Sequence, residues 1–302
     1  MSEAGTKPTA GADHVTGSID WVVLTMGTRP EELGNALDSI AVQNSEVLIS
    51  RAVVVANGGD VASDLGGGDG VEVVQLPVNV GIPAGRDIGI RTSTTPSVGS
   101  LDDDAVLEPD VSSKILAAFA ADPSLGAVAL RIIDEDGHTS RRHIPRAGRR
   151  GAERSGPVTF FLGGAHALRA DAYAEIGGYF GDLWYGHEEV EMSWRLIDAG
   201  WSIRYLSEAA AFHPKTAISR RADGWSMTGR NRVWIARRTL PWPVAIIHVI
   251  TWLGLGLVRA PSGCKRGYLE GWMSGWRKDV GRNPIRWTTV WRLSRLGRPP
   301  VI

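Results

Sequence analysis

The sequence predicts an α/β fold, a mainly parallel central sheet flanked by helices, and three observations carry that prediction. Between Ile19 and Ile132, short β-branched runs alternate with segments whose apolar residues recur at helical intervals. Polar loops follow those runs, as they do at one edge of an open sheet. Size is the third: 302 residues with 43% hydrophobic content can bury one sizeable core plus an extension.

Residues 21–25 open the pattern as an apolar strand. Thr28 and Glu31 then stand at capping-box spacing with Pro30 in the first turn, and Leu33, Leu37, Ile40 and Ala41 supply the apolar face of a helix. Residues 52–56 form a second strand closed by Asn57-Gly58-Gly59-Asp60, and residues 71–76 a third closed by Pro77-Val78-Asn79. A short apolar strand, 98–101, delivers Asp102, Asp103 and Asp104 into a loop. The helix expected at 109–122 has Val111, Ile115 and Phe119 at i, i+4 and i+8, and 127–132 returns to strand. No repeat of fixed period is present, which argues against a solenoid. Open α/β sheets bind ligands beyond the carboxyl ends of their strands, so the loops at 25–29, 57–60 and 102–104 are expected to converge on a nucleotide pocket.

Charge balances overall, 33 basic against 33 acidic residues, yet from Arg259 onward ten Lys or Arg accompany only Glu270 and Asp279. A basic tail of this kind fits an anionic membrane surface or a plain solvated face. Its interleaved arginines and tryptophans also suit single-stranded nucleic acid, but nucleic acid is not the expected partner. One cysteine, Cys264, excludes an intramolecular disulfide framework and a cysteine-based metal cluster, and fits a reducing cytoplasm. Residues 1–18 are small and polar, lack the pattern of a secretory signal and read as a disordered lead-in. The longest apolar run, 242–258, falls short of the roughly 20 residues that span a bilayer and includes Pro243, His248 and Thr251, so it is expected to lie at an interface. A loop at 141–154 carries six arginines and His143, either as a solvated loop or as a lid over phosphate or acceptor. A boundary is expected within 207–221, beyond which Trp and Arg dominate.

Three constellations carry chemistry. Carboxylates at a strand end, as in Asp102-Asp103-Asp104, are hard oxygen ligands suited to Mg²⁺ or Mn²⁺, which can bridge two phosphates of a nucleotide sugar. A bare acidic turn has the same composition. The run Gly186-His187-Glu188-Glu189-Val190-Glu191-Met192-Ser193-Trp194-Arg195-Leu196 opens a helix that Gly200 stops, with Val190, Trp194 and Ile197 on the core face and Glu191 spaced to pair with Arg195. Glu188 and Glu189 fall at its start, where acids either serve the dipole or do chemistry. Between the two, Gly163-Gly164 allows close approach of backbone to a ligand, or makes a tight turn into a helix at 170–176.

These pieces occur in the order and spacing of family-2 type inverting glycosyltransferases of the GT-A fold, which the chain resembles over residues 21–213. The resemblance rests on the opening strand and turn, the stretch from Asn79-Val80-Gly81 to Ala84-Gly85-Arg86-Asp87-Ile88-Gly89, the acidic loop, the Gly-Gly segment, and the acidic pair followed by another acid and Trp-Arg. It implies a metal-dependent enzyme that moves a sugar from a UDP, dTDP or GDP donor to a hydroxyl of a glycan or lipid-linked acceptor. In its terms Thr25, Arg29, Asn57, Asn79, Arg86, Asp102, Asp103, Gly163 and Gly164 hold the donor, while Asp104 and His213 bind Mg²⁺ or Mn²⁺. Glu189 takes the place of the base. The family usually has Asp there, which leaves Glu188 as the alternative. The resemblance divides the chain into the lead-in (1–18), a GT-A catalytic domain (19–213) and a mostly helical extension (214–302). Gly229-Arg230-Asn231-Arg232 through Leu240-Pro241-Trp242, and then 287–300, resemble the ends of actinobacterial cell-envelope glycosyltransferases. That implies envelope polysaccharide synthesis by a cytoplasmic protein held peripherally at the inner face of the plasma membrane.

Two other classes compete. A sugar-phosphate nucleotidyltransferase also uses an α/β sheet and metal-binding Asp, but needs a glycine-rich loop after the first strand, which Thr25-Met26-Gly27-Thr28-Arg29 matches poorly. A non-catalytic GT-A-like scaffold would bind sugars or partners without turnover, and the presence of both acidic constellations speaks against it.

Overall fold

A computed structural model describes residues 17–45, 47–61, 65, 70–145, 151–215 and 224–301. Most of the expected lead-in, part of the arginine-rich loop (146–150) and the far end of the expected boundary (216–221) lie outside the described residues. The first strand, β1 (Gly17–Thr25), pairs in parallel with β2 (Leu48–Asn57) on one side and β4 (Ser97–Asp102) on the other. Beyond β2 lies β3 (Val71–Leu76), also parallel. On the other flank β8 (Ala165–Arg169) runs antiparallel to both β4 and β6 (Leu125–Ile133), and β6 is parallel to β9 (Ser202–Phe212). Two-residue strands β5 (Val106–Leu107) and β7 (Gly156–Pro157) add antiparallel pairings to β9. The sheet is therefore mixed, parallel through β3-β2-β1-β4 and crossed by β8.

Helices cover both faces, which is why β2 is apolar almost without interruption. Trp21, Val23 and Val54 face one layer, with α1 (Pro30–Ala41) and α3 (Val111–Ala121). Val22, Val53 and Val55 face the other, with α2 (Ile82–Thr92), α4 (Ala170–Glu175) and α5 (Glu188–Ala199). Trp21 is fully buried and lies flat over Gly99, where a Cβ would meet its ring at 2.3 Å. Burying such a ring is worth about 3 kcal/mol, and only glycine leaves it room.

The expected capping box does not form. Arg29 occupies the N-cap of α1 with no side-chain cap, Pro30 starts the helix, and the Arg29 side chain turns instead toward Asp103 and Asp104. Electrostatic attraction between opposite charges overrides a local cap here. By contrast, α5 begins and ends as its sequence predicts, with Gly200 left-handed at φ 109° and Glu191 receiving Arg195 at 2.6 and 2.8 Å.

The C-terminal helices α6 (Gly224–Thr239), α7 (Trp242–Arg259), α8 (Lys265–Ser274) and α9 (Trp287–Arg295) share the core with the sheet: Val233, Ile235, Leu240 and Val249 pack in one cluster with Val22 and Met192. Arg238 donates to Glu191 at 3.1 Å. Asn231, fully buried, donates to the carbonyls of Leu183, Tyr185 and Gly186 at 3.0, 2.9 and 2.9 Å. Helix α7 differs from expectation in length. It runs 18 residues with mean hydropathy 1.5 and is 28% buried, so by length and composition it is apolar enough to cross a membrane. Val244, Ala245, His248 and Val249 pack inward while Ile246, Ile250 and Val258 stand out in solvent.

Candidate active site

A cavity of about 550 Å³ opens beyond the carboxyl ends of β1, β2 and β4. It is lined by Thr25, Arg29, Asn57, Asn79, Arg86 and the three aspartates, so the polar loops do converge. Asp102 closes β4, and Asp103 and Asp104 lie in the turn that follows, where Ala105 N donates back to the Asp102 carbonyl at 3.0 Å. Asp102 and Asp104 accordingly meet His213, whose Nε2 stands 3.5 Å from Asp102 Oδ2 and 3.3 Å from Asp104 Oδ1. Asp103 instead accepts from Thr25 Oγ1 at 2.7 Å and Arg29 Nη2 at 2.6 Å, and the same guanidinium also reaches Asp104. The sequence expectation grouped Asp102 with Asp103; the geometry groups Asp102 with Asp104 and His213, whose candidate ligand atoms lie within 4.8 Å of one another. The backbone next to this trio, Gly164, accepts from Asp102 N at 3.0 Å.

Hard carboxylate oxygens and one imidazole suit a divalent cation such as Mg²⁺ or Mn²⁺. His213 Nδ1 donates to the carbonyl of Pro214 at 2.9 Å, which turns Nε2 toward the carboxylates. Burial works against a charge on His213, but Asp102 and then Asp104 outweigh it and raise its pKa to about 9. Asp102 is held below the usual carboxylate range, its burial outweighed by His213 and Arg86. Asp103 goes the other way, raised by burial in spite of Thr25 and Arg29.

Arg86 joins the acidic loop to α5. It is buried, donates to Asp102 Oδ1 at 2.7 Å, and its Nη1 lies 3.6 Å from Glu189 and 3.9 Å from Glu188. The two glutamates share this one guanidinium in a buried setting. Burial, then Glu189 alongside, pushes Glu188 up to about 8, and burial pushes Glu189 up as well. Glu189 keeps 18% of its side chain exposed against 3% for Glu188, so Glu189 is the more accessible of the two. Gly163 makes this arrangement possible, since a Cβ there would meet Glu189 Oε1 at 2.1 Å. Neither glycine of the pair, nor Glu188 or Glu189, lines the main cavity; Arg86 connects them to it.

Asn57 and Asn79 order the loop before α2. Asn57 Oδ1 accepts from Val80 N at 2.8 Å, and Asn79 Oδ1 accepts from Asn57 Nδ2 at 3.1 Å and Gly81 N at 2.8 Å. Sequence reasoning missed Trp184 and Tyr185, which line the cavity and are 38% and 43% exposed. Two adjacent exposed aromatics directly before an acidic helix start are the signal that was there to read. Of the arginine-rich loop, the turn at Arg141–His143 reaches the site, with the His143 ring 6.4 Å from that of His213.

The model of glycosyl transferase family 2 matches residues 21–177. Pre-mycofactocin glycosyltransferases from two strains of Mycobacterium tuberculosis are each 28% identical over 216 residues, covering 66% of this chain. The chain spans 43% of the length of those relatives. Among solved structures, GalNAc-T7 with UDP, GalNAc and Mn²⁺ superposes with a TM-score of 0.64 at 13% identity, over 88% of this chain and 57% of that one. S. aureus TarS 1-349 with UDP-GlcNAc gives 0.58 at 13% identity, over 84% and 79% of the two chains. The mannosyltransferase PcManGT of Pyrobaculum calidifontis, with GDP-Man and Mn²⁺, gives 0.51 at 17% identity over 96% and 76%. At these identities the superpositions establish the shared fold.

Proposed function

This chain belongs to glycosyl transferase family 2, and on that premise we propose that it is a metal-dependent inverting enzyme that transfers a sugar from a nucleotide-diphosphate donor to a hydroxyl of a glycan or lipid-linked acceptor. One observation carries the reading: Asp102, Asp104 and His213 form a candidate cation site at the wall of a 550 Å³ cavity, and Arg86 ties that site to Glu188 and Glu189. Mg²⁺ or Mn²⁺ bound by Asp104 and His213, with Asp102, supplies positive charge for the departing diphosphate. The other roles belong to this chain. Thr25 and Arg29 hold Asp103 and shape the cavity floor, while Asn57 and Asn79 fix the loop on which the nucleotide rests. Glu189 takes the proton of the acceptor hydroxyl as its oxygen bonds to the anomeric carbon and the bond to the diphosphate breaks. Glu188, buried and biased toward its protonated form, keeps the remaining negative charge on Glu189.

The acceptor is assigned to cell-envelope synthesis at the inner face of the plasma membrane, supported by the exposed apolar stripe of α7 and the basic residues that follow it. Flotation with anionic liposomes tests that half: the full chain is expected to float and a chain with the exposed Ile246, Ile250 and Val258 all replaced by Ser to do so less. Screening UDP, GDP and dTDP sugars with Mn²⁺ tests the other half. Release of a nucleoside diphosphate that stops on chelation supports it, whereas release of pyrophosphate returns the nucleotidyltransferase reading, and no turnover with any donor returns the scaffold.

A further inference from the structure

Arg232, on α6, is a buried cation without an acid among the described residues. Only 8% of the residue is exposed and its Nε has no hydrogen-bond partner. The guanidinium lies 3.4 Å from the ring centroid of Trp252, and Arg259 approaches the same ring at 5.5 Å. Arg298 is close enough to repel Arg232 as well, and among the described residues no ion pair joins any of the three to a carboxylate. Cation–π contact offsets part of the desolvation of a guanidinium, but a buried charge normally has an anion against it.

These groups surround a second cavity of about 220 Å³, separate from the first, lined by His187, Trp225, Thr228, Arg232, Trp252 and Arg259 among others. His187 Nε2 is also buried without a partner. Burial, then Arg232 and His248, lowers the pKa of His187; burial, opposed by Tyr268 and reinforced by Arg298 and then Arg259, brings Arg232 down to about 9, which leaves it charged at neutral pH. The cavity therefore offers donors and no acceptor charge. Its walls include Trp252, Gly256 and Arg259 of α7 together with the aromatic side chains of Trp225 and Tyr268.

We propose that this cavity binds a phosphate monoester carried on an apolar chain, the phosphate meeting Arg232 and Arg259 and the chain lying against Trp225, Trp252 and Tyr268. A dianion answers two unpaired guanidiniums, whose fork geometry matches phosphate oxygens. Thr228 and His187 supply further donors, and Trp225 and Trp252 exclude water from the head. His187 is the N-cap of the helix that carries Glu189, and Trp225 follows Gly224, which lines the first cavity.

The test titrates the full chain with decyl phosphate, decanol and inorganic phosphate, by calorimetry and by tryptophan fluorescence. Decyl phosphate is expected to bind saturably, at least tenfold more tightly than either of the others, and to remain bound when UDP and Mn²⁺ saturate the first cavity. Arg232→Met and Arg259→Gln are each expected to weaken it by tenfold or more. Arg259 lies at an exposed helix end, so its variant decides the matter if the buried substitution impairs folding. Wild-type affinity in Arg259→Gln, or displacement by UDP, overturns the site; inorganic phosphate binding as tightly as decyl phosphate overturns the apolar chain. Failure of the donor reading looks different, as absent UDP binding with decyl phosphate binding intact.

Discussion

A Cβ on Gly163 would stand 2.1 Å from Oε1 of Glu189 and 2.7 Å from Nη1 of Arg86. The missing side chain is what lets the guanidinium and the carboxylate share one place. Gly163→Ala is therefore expected to displace both, lowering kcat by roughly 10²-fold, the size of an acid–base contribution, with a far smaller effect on Tm. A variant with near wild-type turnover removes the close approach from the mechanism.

Glu189→Gln keeps shape and removes the proton acceptor. Its kcat is expected to fall by roughly 10²-fold or more with donor affinity nearly unchanged. Donor binding is read separately by calorimetry. If Glu188→Gln is the inactive variant and Glu189→Gln turns over normally, the base is Glu188.

Metal binding is expected to depend on pH through His213. Without metal its proton is held up to a pKa of about 9 by Asp102 and Asp104, whereas a ligating imidazole is neutral, so the metal displaces one proton. The association constant for Mn²⁺ should rise about tenfold per pH unit below that pKa, with proton release visible as a buffer-dependent heat. A flat profile between pH 6 and 8, or unchanged affinity in Asp104→Asn, counts against this ligand set.

Stability carries a signature of Glu188. Its pKa in the folded chain lies at about 8, above the ordinary value of 4.5, so the folded state holds the proton more tightly than the unfolded one. The contribution is fully present below about pH 4.5 and is lost as pH rises through 8. Metal-free wild type is expected to lose stability across this window, at no more than about 1.4 kcal/mol per pH unit for one proton. Glu188→Gln should flatten the slope in urea titrations. An equal slope in both proteins assigns the proton elsewhere.

Much of the nucleotide half was legible because its signals are local. The strands and helices up to Ala121, α2 and the two-residue β5 excepted, follow from β-branched runs and helical spacing, and the polar loops at Thr25, Asn57 and Asp102 meet where open sheets bind ligands. The second half was less so. β8 was missed because Ala165–Arg169 is short and follows two glycines that read as a turn, and its antiparallel insertion between β4 and β6 is a long-range pairing that no periodicity encodes. The resemblance groups Asp102 with Asp103 toward the donor, whereas the turn after β4 sets Asp102 beside Asp104 and His213, a proximity that sequence order alone does not encode. The capping spacing of Thr28 and Glu31 was real in sequence but lost to the attraction between Arg29 and two aspartates.

The triple donation of Asn231 to Leu183, Tyr185 and Gly186 sets an order of events during synthesis. Residues are made from the N-terminus, and the loop that carries Trp184 and Tyr185 emerges some 45 to 48 positions before the amide that holds it. A nascent chain that has released every carboxylate of the site, through His213, still lacks the clamp on that aromatic wall of the cavity. Gly224, which lines the same cavity, arrives with the same helix. On the ribosome the acidic residues of the site are therefore made before the residue that clamps the aromatic wall of its cavity.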